Sequence, residues 1–120
     1  MGIRVIWGVL LLPWSVAMAG KADVVDVEIR KTSDGLYRFA VTVAHDDEGW
    51  DHYANRWDVV TLDGKVLGTR TLYHPHVDEQ PFTRVLSGVN IPPDVKRVEV
   101  RAYDSVHGDG GAVMTVDVPK

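Results

Sequence analysis

The chain has 120 residues, with 13 lysines and arginines against 17 aspartates and glutamates, five histidines and no cysteine. The net charge of −4 argues against a nucleic-acid partner, because phosphate binding needs a basic face. Without cysteine there is no disulfide, no thiolate ligand and no lipid on a cysteine, which suits the bacterial periplasm better than a eukaryotic secretory route, where small domains are usually stapled.

Residues 1–19 read as a secretory signal peptide. Met1 to Arg4 supply a positive start, Val5 to Leu12 an apolar core, and Pro13 to Ala19 a break ending in the small-x-small triplet Ala17-Met18-Ala19. Cleavage is expected before Gly20. A membrane span needs roughly 20 apolar residues, and the run from Val5 to Val16 is shorter and contains a proline, so no stable anchor is expected after cleavage. Loss of Arg4 leaves residues 20–120 as one domain with a net charge of −5, long enough for a core and too short for two domains.

Periodicity in this domain is two almost throughout, the signature of strands with one buried and one wet face. Val25, Val27 and Ile29 are expected to point inward on the first strand, and Tyr37, Phe39, Val41 and Val43 on the second. Further strands are expected over 55–62, 65–72 and 82–89. Val98, Val100 and Ala102 form the buried set of the sixth, and 112–118 the seventh. Ser33-Asp34-Gly35, Asp63-Gly64 and Pro92-Pro93-Asp94 supply the reversals. No helical stripe is visible.

Seven short strands in about a hundred residues predict an all-β, seven-stranded antiparallel sandwich. The pattern resembles immunoglobulin-like and fibronectin-III-like domains over the whole of 20–120. Trp57 falls on the third strand, where immunoglobulin domains keep a core tryptophan, although the cysteine pair it packs against there is missing. The sequence also resembles small bacterial periplasmic proteins built on such sandwiches, some of which carry copper. That resemblance implies an exported, metal-binding role.

Strand parity locates the chemistry. If each strand reverses its predecessor, the tight turns fall at one end and the loops 45–54, 73–81 and 104–111 at the other. All five histidines, His45, His52, His74, His76 and His107, lie in those three loops. Eight of the 17 carboxylates join them, and no lysine or arginine does. Imidazole and carboxylate without thiol suit Cu²⁺ or Zn²⁺. His74-Pro75-His76 is the sharpest pair, since residues two apart in extended backbone project to the same side, about 7 Å apart. His107, His45 or His52 would add a third ligand, and Asp78 or Asp104 would bind directly or orient an imidazole. The acidic run Asp46-Asp47-Glu48 reads as a solvated loop.

Two other uses of this pole compete with metal binding. Trp50, Tyr53, Tyr73 and Tyr103 beside carboxylates suit recognition of a peptide, glycan or partner protein. Asp104-Ser105-Val106-His107 contains the letters of a nucleophilic triad, but nothing marks Ser105 as activated, and no enzyme is expected. Arg56, Arg84 and Arg101 are expected to pair with acids at the loop bases.

Overall fold

The computed structural model describes residues 20–120, so the expected signal peptide lies outside the described residues. Seven strands follow one another: β1 (Asp23–Lys31), β2 (Tyr37–Ala44), β3 (Ala54–Thr61), β4 (Val66–Thr71), β5 (Phe82–Val89), β6 (Arg97–Asp104) and β7 (Met114–Asp117). They form two antiparallel sheets, one ordered β1-β2-β5 and the other β4-β3-β6-β7. This is an all-β sandwich of the immunoglobulin-like type. No helix among the described residues is long and apolar enough to cross a membrane.

The alternation seen in the sequence becomes the core. Phe39, Val41 and Val43 of β2 face Trp57 and Val59 of β3 and Val98 and Val100 of β6, all fully buried. Trp57 pairs across the sheet with Ala102 and Val59 with Val100. The small Ala102 leaves room for the indole, as close packing of large against small side chains requires.

The first strand departs from strict alternation. A bulge between Val24 and Asp26 puts the extra residue, Val25, outside: Val24 is 2% exposed and Val25 44%. Val27 and Ile29 remain packed against the core, as expected. A bulge shifts the facing of a strand by one residue, so Val24 takes the inward position expected of Val25.

Tight turns close one end. Gly35 N–H donates to Thr32 O, Gly64 N–H to Thr61 O and Val95 N–H to Pro92 O. At the opposite end, Ser105 N–H donates to Tyr53 O, and Tyr53 N–H to Ser105 Oγ. Gln80 joins the remaining loop to the first, its Oε1 accepting from His45 N–H while its Nε2 donates to His76 O within its own loop. The three histidine-bearing loops therefore share one pole, as parity requires.

The bulge is testable by placing a hydroxyl on each side of it. Val24→Thr should cost about 1–3 kcal/mol in urea denaturation, because its hydroxyl is buried without a partner. Val25→Thr should stay within about 0.5 kcal/mol of the parent. The reverse ranking would mean that β1 runs in the unbulged register.

Candidate metal centre

The pole is assembled where strands from both sheets end. His45 follows the last residue of β2, Ala54 opens β3, and Asp104 closes β6 directly opposite Ala54 in the ladder. Because β2 belongs to one sheet and β3 and β6 to the other, the site bridges the two layers.

Asp104 is buried and organises the third loop. Its Oδ1 accepts from the backbone N–H groups of Val106 and His107, at 2.8 and 2.5 Å. The His107 ring lies against the same carboxylate, with Nδ1 3.1 Å from Oδ2. Burial alone would push the Asp104 carboxyl upward. The N–H bonds from His107 and Val106 and the His107 ring outweigh it and hold the group below the usual carboxylate value.

Two further imidazoles converge on Asp104 Oδ2. His45 Nε2 lies 3.3 Å from it and His52 Nε2 3.7 Å. One donor atom each from His45, His52 and Asp104 fall within 4.8 Å of one another. The rings pack in series, His45 edge-on to His52 with centroids 4.8 Å apart, and His107 tilted against His52 at 5.0 Å. This group could hold a metal ion. A tetrahedral ion bound at about 2.1 Å sets its ligands about 3.4 Å apart, close to the 3.3 and 3.7 Å that separate the two imidazole nitrogens from Asp104 Oδ2.

The outer nitrogens explain why the inner ones face inward. His45 Nδ1–H donates to Asp47 Oδ1 at 2.5 Å, and His52 Nδ1–H donates to Glu48 Oε1 at 2.6 Å. A carboxylate can only accept, so each places the proton on Nδ1 and leaves Nε2 as the lone-pair nitrogen. His45 Nε2 is then buried with no hydrogen-bond partner. His52 Nε2 faces the carbonyl oxygen of Gly20 at 3.3 Å as well as Asp104. With neutral rings, acceptor faces acceptor at the centre of the cluster, an arrangement that calls for a cation: a proton or a metal ion. His52 answers in part, because the Glu48 hydrogen bond, helped by the Gly20 carbonyl and Asp104, raises its pKa above 6.5 against the effect of burial.

His74 and His76 are placed differently. Their rings do come together, with centroids 5.1 Å apart. His76, however, is buried, stacked on Phe82 at 3.9 Å, and its Nε2 accepts from Arg84 at 2.9 Å. Its Nδ1 is buried without a hydrogen bond, 4.0 Å from Asp47 Oδ2. Burial, reinforced by Arg84 and His74, lowers its pKa. His74 and Asp78 are exposed and border a shallow hollow with Trp50, Pro75 and Val77.

Asp47 is the residue that sequence reasoning missed. Between exposed Asp46 and Glu48 it is itself buried. Its Oδ1 accepts from His45 Nδ1 and Ala54 N–H, and its Oδ2 from His76 N–H at 2.7 Å. The available signal was the alternation itself: carried past Ala44, it sets His45 and Asp47 on one side of an extended segment. The arginines do pair with acids, but only Arg84 does so with an acid of the loops, since Arg56 and Arg101 meet acids two residues away on their own strands. Arg84 pairs with Glu79 at 3.2 Å, Arg56 with Asp58 at 3.6 Å, and Arg101 with Glu99.

No family model matches the chain. It is 43% identical over 97 residues to a protein of Halomicrobium mukohataei described as "Putative lipoprotein", a match covering 81% of this chain and 47% of that protein. The chain thus spans about half the length of the curated relative it matches. Among solved structures it resembles hypothetical protein PH1083 from Pyrococcus horikoshii OT3, with a TM-score of 0.54 and 14% identity over 88% of this chain and 99% of that one. At that identity the likeness speaks for the fold alone.

His76 and His52 give stability opposite pH signatures. A folded-state pKa below the unfolded 6.5 means that the unfolded chain binds more protons, so the His76 contribution is full above about pH 6.5 and is lost on acidification through its folded pKa. The raised His52 pKa contributes stability below about 6.5 that is lost as pH rises through the folded value. Urea midpoints of chelator-treated protein against pH should therefore show a shallower acid limb in His76→Phe and a shallower alkaline limb in His52→Ala. Unchanged limbs would contradict both environments.

Proposed function

We propose that this chain is an exported β-sandwich that binds a divalent transition metal, Cu²⁺ or Zn²⁺, and acts as a carrier or buffer. His45 Nε2, His52 Nε2 and Asp104 Oδ2 are the core ligands, with His107 beside them. The observation that carries this reading is the buried, unpartnered His45 Nε2 aimed at a carboxylate oxygen 3.3 Å away. Both facing lone pairs become favourable ligands once a dication lies between them.

Asp47 and Glu48 act in this reading as the carboxylates that orient ligating imidazoles and raise their basicity. Nitrogen and oxygen donors without sulfur suit Cu²⁺ and Zn²⁺ better than Cu⁺. The ion would supply charge neutralisation at a centre where acceptors already converge. Export is supported by the apolar start with its small-x-small triplet, and by the description of the Halomicrobium protein as a lipoprotein. This sequence itself offers no cysteine for a lipid.

Exposed Trp50, Tyr73 and Val77 on the same pole favour a second reading, recognition of a peptide, glycan or partner protein. Calorimetric titration of untagged protein with Cu²⁺ and Zn²⁺ separates the two. In the metal reading, His45→Ala and His52→Ala each weaken binding by about tenfold or more, about 1.4 kcal/mol. Asp47→Asn and Glu48→Gln weaken it by about 10-fold to 100-fold, and His74→Ala changes it least. Because ligating imidazoles must be deprotonated, affinity also falls on acidification. Loss concentrated in His74→Ala and His76→Ala would move the site to that pair. Absence of micromolar binding in the parent would leave recognition as the function.

A further inference from the structure

The backbone of Gly20 is part of the cluster. Its carbonyl oxygen lies 3.3 Å from His52 Nε2. A Cβ built on it would lie 3.2 Å from Cε1 and 3.3 Å from Nε2 of His107. Residue 20 is therefore wedged against two imidazoles, and any larger residue would press on the His107 ring.

This position is held by the fold. Ala22 and Val24 are buried in the core, Val24 N–H donates to Ala112 O, and Ala112 N–H donates to Asp23 Oδ1. Gly111 packs so closely on this segment that a Cβ there would fall 2.0 Å from Ala22 O. The start of β1 and the third loop thus form one rigid unit, with Gly20 delivered to the histidines at its end.

The sequence marks the bond before Gly20 as the expected cleavage point. Hydrolysis of the Ala19–Gly20 peptide bond places the oxygen of one water on the Ala19 carbonyl carbon as a carboxylate. Both hydrogens of that water go to the Gly20 nitrogen, which becomes an α-ammonium group. Before cleavage that nitrogen is an amide without a usable lone pair. Afterwards it is an amine, whose lone pair becomes available once the metal ion displaces a proton, next to its own carbonyl oxygen.

We propose that processing completes the metal centre: the new α-amino nitrogen of Gly20 joins His45, His52 and Asp104 as a ligand, so that only the cleaved chain binds tightly. This rests on the metal-binding reading above. An amine and a carbonyl oxygen on one residue form a five-membered chelate with a single ion, and an added nitrogen donor favours Cu²⁺ over Zn²⁺.

The test expresses the full chain without a tag in an exporting host, beside a variant with one serine inserted between Ala19 and Gly20. Mass spectrometry should find termini at Gly20 and at the inserted serine, and the two metal-free proteins should melt alike. Titration with Cu²⁺ should then show affinity weaker by about tenfold or more in the variant. Its copper absorption band should also move to longer wavelength, the direction for loss of a nitrogen donor. Equal affinities and spectra would overturn this proposal while leaving the metal reading intact, as would a parent terminus other than Gly20 with tight binding. No binding by either protein would overturn the metal reading and this proposal together.

Discussion

The buried carboxylate of Asp47 is the constraint on which the functional pole depends. A charge removed from water must be fully hydrogen-bonded or it destabilises the fold by several kcal/mol. Asp47 meets this requirement by drawing on three pieces of chain at once: the His45 ring, the N–H at the start of β3 and the His76 N–H. Two loops that Gln80 also ties together are thereby fixed to the base of a core strand. The same bond that satisfies Asp47 also assigns the His45 proton to Nδ1 and turns Nε2 toward the centre. Structural satisfaction of one acid thereby produces the unsatisfied lone pair that makes the centre chemically interesting.

Asp104 plays the complementary part. It is pinned by two backbone N–H groups of its own loop, so one carboxylate oxygen is used for structure and the other is left facing imidazoles. The division is made possible by the sandwich. β2 ends beside β3 and β6 in space although they belong to different sheets, and residues just beyond strand ends inherit the rigidity of the ladder without its obligation to pair. Side chains placed there are positioned by the core that Trp57, Phe39 and their neighbours create.

Much of this was legible. Period-two alternation marked the strands because side chains on a strand must alternate between core and water. Parity then placed every histidine loop at one end. What escaped were features set by contacts between distant segments. The bulge at Val25 arises from pairing with β2, and nothing in Val24-Val25 says which valine turns out. Asp47 looked like one solvated acid among three until His45, Ala54 and His76 surrounded it. His74 and His76 do project together, as local geometry requires, but Phe82 and Arg84 decide what the His76 ring does.

By itself, then, the sequence determined the class of fold, the order of strands, the end of the sandwich where the chemistry gathers and the donor types present there. These follow from local rules: alternation, turn residues and the absence of cysteine. Only the tertiary structure decided which histidines share a centre, which carboxylates orient them and that Gly20 lies among them. Those choices depend on hydrogen bonds between residues tens of positions apart, and no local pattern encodes which buried charge will be satisfied by which distant donor.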